Sequence, residues 1–340
     1  MTQADGAGGA ATGGAGPWRV TSLAPFPVEV LRGLAGDLPV EFTVLDERTP
    51  AAALAAVAGA EIVLGDFTAL LRIDADLVAA APHLAFVQQP TVGVEHIDLA
   101  ACAAAGVPVA NTAGANAVGV AEWCVMAALA VSRNLLWADA EVRAGRWPQL
   151  DLVSRGCLEL NGRRVGIVGY GAVGATAASL FAAFGCDVSY WSRTQRAEAV
   201  ATYRALPDLL ATSDVLVVVI ALGDETRGLL DLDALRALPR GAIVVNAARG
   251  GIVSEEALLT CLDDGHLAGV ALDVYDAEPL PGDSRLRSHD RVLLSPHVAG
   301  ASAQGRLRIG LAVQRNLARA VAGEPVQDVC NGVDPVIRRR

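Results

Sequence analysis

The sequence predicts an α/β protein built on two doubly wound parallel sheets. Three observations carry this. Short β-rich runs alternate with alanine-rich helical stretches from Arg19 to Thr112, and a second alternation begins at Arg164. At the first strand–helix junction of that second half lies Gly169-Tyr-Gly171-Ala-Val-Gly174. Strands spaced by helices demand crossover connections, and therefore parallel sheets covered on both faces.

In the first half the apolar runs place strands at Arg19–Ala24, Val40–Leu45, Glu61–Leu64, Ala85–Gln88 and Pro108–Asn111. Helices are expected at Val28–Leu34, Pro50–Ala58, Ala75–Ala80 and Leu99–Ala105. One long helix, Ala117–Ala144, should follow and end at Gly145 and Pro148. In the second half strands are expected at Arg164–Val168, Asp187–Trp191, Val215–Ile220, Ala242–Asn246, Ala268–Leu272 and Val292–Leu294. Six strands suit a complete dinucleotide-binding sheet. The closing amphipathic stretch Ala303–Ala322 has no strand left to feed, so it is expected to return to the first half. That assigns residues 17–116 and 302–334 to one discontinuous domain and 117–301 to the other, with hinges near Ala113–Val118 and Val298–Ser302.

Composition narrows the functional classes. Of 340 residues 53% are hydrophobic and 19% charged, enough to bury two cores. The net charge is −10 and all 27 basic residues are arginine, which argues against nucleic-acid binding. No apolar run reaches the roughly 18 residues of a membrane span. Asp214–Leu222 is too short, and Glu122 and Arg133 interrupt Val118–Leu136. Residues 1–16 are Gly/Ala-rich with no basic start, so they read as a flexible tail and not a signal peptide. Six scattered cysteines without CxxC pairing fit a reducing compartment, and a cytoplasmic location is expected. No His/Cys/Asp/Glu cluster has metal-ligand spacing.

The glycine run carries the first chemistry. Gly169 permits a tight turn, Gly171 lets a pyrophosphate approach the backbone, and Gly174 allows close helix–sheet packing. With Tyr170, Ala172 and Val173 they form a phosphate loop opening a helix expected at Ala175–Phe184, whose free N–H groups favour an anion. The second half is thus a Rossmann-like dinucleotide-binding domain. Strand Asp187–Trp191 should end on the residue that reads the adenosine ribose, and NAD enzymes place Asp or Glu there. Here Ser192, Arg193, Thr194 and Arg196 follow instead. Arginines and a hydroxyl suit a 2′-phosphate, so NADP(H) is favoured over NAD(H).

Four downstream segments carry a resemblance. They are Val92-Gly-Val-Glu-His-Ile-Asp-Leu99, Val244-Val-Asn-Ala-Ala-Arg-Gly-Gly251, Ala271-Leu-Asp-Val-Tyr-Asp-Ala-Glu-Pro279 and Leu294-Ser-Pro-His-Val-Ala-Gly300. In order and context the chain resembles the D-isomer-specific 2-hydroxyacid dehydrogenases from about residue 60 to 320. The resemblance implies a flavodoxin-like substrate domain beside the Rossmann-like one, and reduction of a small 2-oxo acid by NAD(P)H. It implies Arg249, Glu278 and His297 as the catalytic set. Arg249 would hold the substrate carboxylate and polarise the ketone. His297 would protonate the oxygen as hydride arrives. Glu278 would orient the imidazole and favour its protonated form. Backbone N–H groups of Val92 and Gly93 join Arg249 and His297 in holding substrate, while Ala247, Asp273, His297 and Gly300 join the cofactor contacts.

Glu278 where formate-oxidising relatives carry Gln, and Val92 where phosphite-oxidising ones carry Lys, weigh against those substrates. The Ser-Arg-Thr turn points to glyoxylate or hydroxypyruvate. The chain leaves no room for the regulatory domain common in phosphoglycerate dehydrogenases, which stay the alternative together with a non-catalytic nicotinamide-sensing regulator. Ala221-Leu-Gly-Asp-Glu-Thr226 departs from the family's Leu-Thr-Pro-Glu-Thr run. A homodimer is expected through the helix after Asn116, whose Trp123, Met126 and Leu129 exceed the needs of one sheet face.

Overall fold

A computed structural model describes residues 16–340; the tail expected over residues 1–16 falls almost wholly outside them. Residues 16–113 together with Arg308–Arg340 form one compact unit, and Gly114–Leu307 forms the other.

The first unit runs β1 (Trp18–Ser22), α1 (Val28–Ala35), β2 (Val40–Val44), α2 (Pro50–Val57), β3 (Ile62–Leu64), α3 (Ala75–Ala80), β4 (Phe86–Gln88), α4 (Leu99–Ala104) and β5 (Val109–Ala110). Its five parallel strands are ordered β2-β1-β3-β4-β5, the flavodoxin-like arrangement. Thr49, Asp74 and Asp98 each cap a helix, accepting from Ala52, Leu77 and Ala101 N–H. The central strands β3 and β4 are covered on both faces and buried throughout, whereas the edge strand β2 alternates half-buried and exposed residues.

The second unit runs α5 (Ala117–Ser132), α6 (Leu135–Arg143), α7 (Gln149–Arg155), β6 (Arg164–Val168), α8 (Ala172–Ala183), β7 (Asp187–Trp191), β8 (Thr202–Tyr203), α9 (Leu206–Thr212), β9 (Val215–Val218), α10 (Leu232–Arg236), β10 (Ala242–Asn246), α11 (Glu255–Asp263), β11 (Leu267–Leu272) and β12 (Val292–Leu294). Its parallel strands are ordered β12-β11-β10-β9-β6-β7-β8, so chain order reverses between β6 and β9. That reversal is where such sheets bind ligands, beyond the carboxyl ends of the strands. Two apolar cores sandwich the sheet. One lies under α5 and α8, with Trp123, Phe181 and Tyr190; the other lies under α9–α11, with Leu209, Leu235 and Leu258.

The closing helix α12 (Ala303–Ala322) matches its expected span. Val313, Leu317 and Ala320 join the core of the first unit with Val20, Leu31 and Phe86. Buried Asn316 locks it there, donating to Gln88 Oε1 and accepting from Gln327 N–H.

Three expectations are corrected. The long helix Ala117–Ala144 is two helices, α5 and α6, bent by 63°. Asn134 adopts φ +49° at the break, a left-handed conformation that asparagine tolerates better than most residues. The second sheet has seven strands, because the edge pair Thr202–Tyr203 adds to β7. The helix after the glycine run starts at Ala172 and not Ala175, with Gly171 as its cap. Among the described residues no single helix is long and apolar enough to cross a membrane, and no group of three potential metal ligands occurs.

Candidate active site

The glycine run forms the floor of the crevice at the reversal point. Val219 N–H donates to Val168 O and Gly169 N–H to Trp191 O, so the ends of β9, β6 and β7 abut here. Gly169 has φ +103°, and a Cβ there would meet the Ile220 backbone at 2.8 Å. A Cβ on Gly174 would meet Gly169 O at 2.1 Å, so α8 packs against the turn only because this residue is glycine. Above Gly171, by contrast, space is open, and no side chain caps the α8 N-terminus. A bare backbone, open space and unopposed N–H groups fit a dinucleotide pyrophosphate. Tyr170 faces inward: its ring stacks on Tyr190 and its hydroxyl accepts from Val200 N–H. Ala172 and Val173 contribute the first turn of α8.

Beyond β7, the Ser192 hydroxyl donates to Thr194 O. Arg196 is tied through its own N–H to the Tyr190 hydroxyl. Arg193 faces Glu225 at 3.7 Å.

The catalytic candidates stand beyond the ends of β10, β11 and β12, on the same edge of the same sheet. Arg249 leaves β10 in a loop that turns under Tyr275: a Cβ on Gly250 would strike Tyr275 O, and Gly251 N–H donates to Asp276 Oδ1 at 2.7 Å. Arg249 donates to Ala248 O, and its loop is held by Asn246, whose side chain donates to Arg249 O and accepts from Ala248 N–H. Ala247 N–H donates to Val218 O, which fixes the start of this loop against β9.

His297 Nδ1 donates to Glu278 Oε2 at 2.7 Å, and Tyr275 N–H donates to Glu278 Oε1 at 3.0 Å. Burial alone would raise the Glu278 carboxyl. The His297 hydrogen bond, the Tyr275 N–H and the charges of His297 and Arg249 outweigh it and hold the carboxyl below its ordinary value. Arg249, Glu278 and His297 therefore form one electrostatic group.

His297 has φ +55°, an uncommon conformation for a side chain of its size, and a web around Asp273 maintains it. Asp273 O accepts from His297 N–H at 2.8 Å. Its carboxylate, 1% exposed, accepts from the Ser295 hydroxyl, from Val298 N–H at 2.8 Å and from Ala299 N–H at 2.7 Å. Ser295 O in turn accepts from the Tyr275 hydroxyl, which burial pushes up to about 12. Gly300 follows, close against Asn116, whose Nδ2 a Cβ there would meet at 2.6 Å. Sequence reasoning missed Ser295, Tyr275 and Asp276, although all three lie within or beside the motifs it singled out.

In the first unit, Val92 and Gly93 lie in the loop after β4. Asn111 Nδ2 donates to Val92 O at 2.8 Å and the Thr91 hydroxyl to Gly93 O at 3.2 Å. Gln89 Nε2 holds Thr91 in turn.

Residues 125–299 match the family model of the D-isomer specific 2-hydroxyacid dehydrogenase, NAD binding domain. The chain belongs to the D-isomer-specific 2-hydroxyacid dehydrogenase family. A glyoxylate reductase of Aeropyrum pernix is 37% identical over 76% of this chain and 80% of its own length. A D-3-phosphoglycerate dehydrogenase of Mycobacterium tuberculosis is 36% identical over 91% of this chain, which spans 57% of that longer protein. Among solved structures, the TT0316 protein of Thermus thermophilus superposes with a TM-score of 0.81 at 34% identity, covering 92% of this chain and 99% of that one. A member of this dehydrogenase family is thus an oxidoreductase on a nicotinamide-binding fold.

Proposed function

We propose that the protein reduces a small 2-oxo acid to its D-2-hydroxy acid with NAD(P)H, reversibly, and that glyoxylate or hydroxypyruvate is its substrate type. The observation that carries this is the His297–Glu278 pair at 2.7 Å beside the Arg249 charge. The nicotinamide, when bound, supplies the hydride. Arg249 pairs with the substrate carboxylate and draws electron density from the ketone oxygen. With Nδ1 committed to Glu278, the imidazole is left with Nε2 to donate a proton to that oxygen. Glu278 offsets the imidazolium charge, and in the oxidative direction His297 takes the proton back. Asp273 acts through the 295–299 turn as a positioning residue. We assign the backbone N–H groups of Val92 and Gly93 to the substrate carboxylate.

For the cofactor we favour NADP(H): β7 ends at Trp191 without a carboxylate, and Ser192, Arg193 and Arg196 follow. The likeness to the A. pernix glyoxylate reductase supports the substrate type. Mixing the protein with NADPH or NADH and a panel of 2-oxo acids, while following nicotinamide absorbance, tests the reading. Oxidation with glyoxylate or hydroxypyruvate is the expected result. Saturable cofactor binding without turnover of any acid would point instead to a nicotinamide-sensing regulator.

We further propose a homodimer, through the later part of the region after Asn116 and not through Trp123, Met126 and Leu129. Trp123 is buried and Leu129 packs on the core, so of these three only Met126 is exposed. The apolar surplus lies instead on α6, α7 and the loop between them, where Trp147, Leu150 and Val153 are 80%, 81% and 73% exposed and Leu135, Leu136 and Val142 are exposed as well. Such a patch favours burial against a second copy.

A further inference from the structure

The Arg193–Glu225 pair joins two loops that leave the sheet on opposite sides of β6. Arg193 is the second residue after β7. Glu225 lies on the segment after β9, which a buried threonine makes rigid. The Thr226 hydroxyl accepts from Gly223 N–H at 2.8 Å and donates to Ala221 O at 2.8 Å. Thr226 and Arg227 N–H groups both return to Gly223 O. Glu225 is thereby presented at the tip of a stitched turn, next to Asp224. Between the two loops lies the Gly169 turn, with Trp191 O on one side and the Ile220 backbone on the other. Arg193 thus stands across this mouth from Glu225.

Arg193 and Glu225 are 77% and 79% exposed at 3.7 Å, a loose contact that costs little to break. A phosphate dianion offers the guanidinium more charge and a bidentate fork. An unphosphorylated ribose offers it neither, and leaves the pair undisturbed. We propose that Glu225 is the resident counter-ion that the 2′-phosphate must displace from Arg193, so that Glu225 limits the discrimination in favour of NADP(H). This role rests on the proposed use of Arg193 as the seat of the cofactor 2′-phosphate.

Two effects act in the same direction. Glu225 competes for the guanidinium, and its charge repels the incoming phosphate within a Debye length. Glu225→Gln keeps the shape of the turn and removes both. The ratio of NADPH to NADH affinity should then rise by about threefold to fivefold, the worth of an exposed pair.

The test is calorimetric titration of NADPH and NADH into wild type, Glu225→Gln, Arg193→Ala and the double variant. The expected results are a raised ratio in Glu225→Gln, a lowered ratio in Arg193→Ala, and a smaller gain from Glu225→Gln once Arg193 is gone, because only the repulsion is then left to remove. A ratio unchanged or lowered by Glu225→Gln, with Arg193→Ala still selective against NADPH, overturns the counter-ion role and leaves the phosphate seat standing. The same holds for a gain that is undiminished without Arg193. Equal losses of both cofactors in Arg193→Ala overturn the phosphate seat and the counter-ion role together.

Discussion

Replacing Asp273 with asparagine removes a charge and one acceptor while leaving the volume unchanged. Three donors converge on this carboxylate, with Ser295 and Val298 on Oδ1 and Ala299 on Oδ2. The asparagine carbonyl can keep the first two, but its amide group then faces Ala299 N–H, donor against donor. The variant loses one charge-assisted hydrogen bond and leaves a buried N–H unpaired, about 2–4 kcal/mol in total. For a unit of this size that lowers the unfolding midpoint by about 5–15 °C. The turn being weakened also carries His297 at φ +55°, so turnover should fall about tenfold or more, since small displacements of a reacting group are costly. Scanning calorimetry with steady-state kinetics reads both quantities. A midpoint within about 2 °C of wild type and unchanged turnover would refute the argument that Asp273 holds the turn.

Gly174→Ala places a Cβ 2.1 Å from Gly169 O; the resulting shift of α8 should weaken dinucleotide binding about tenfold in fluorescence titration, and undiminished affinity would contradict the packing. Leu150→Glu puts a charge on the exposed apolar patch of α7 and should convert a sedimenting dimer to monomer with the fold retained; a dimer that survives it, or a monomeric wild type, would rule out that surface. The Glu278 carboxyl is depressed below its ordinary 4.5, so its contribution to stability is complete above that value and is lost as pH falls through the lower folded value. Glu278→Gln should flatten that acid limb of an unfolding curve, and an unaltered limb would show that the carboxylate has no favourable partner.

Much of the architecture was legible because parallel strands buried on both faces are short, mostly apolar runs rich in β-branched residues. Arg164–Val168, Asp187–Trp191, Ala242–Asn246 and Val292–Leu294 stand where the sequence predicts them. The edge pair Thr202–Tyr203 was not legible, since two residues of mixed polarity carry no period. The break at Asn134 was hidden because apolar residues continue across it, although Ser132-Arg133-Asn134 is a polar cluster of the kind that ends helices. At the candidate site, residue identities could be read, whereas their wiring could not. The donors to Asp273 come from residues some twenty positions away, and Glu225 meets Arg193 only because two loops flank one strand. Both are products of the sheet order, which no local pattern encodes. The burial of Trp123 and Leu129 on α5, expected as surplus apolar residues, was hidden for a related reason. The helix is covered by α8 and the sheet, so its tryptophan serves the core.

The most direct test of the central claim is the turnover of His297→Ala alongside its cofactor affinity. Loss of the proton donor alone predicts a fall of about 10²–10⁴ in 2-oxo acid reduction with dinucleotide binding near that of wild type. Wild-type turnover in this variant would contradict the assignment of His297, and with it the reading of the Arg249, Glu278 and His297 group as the catalytic set.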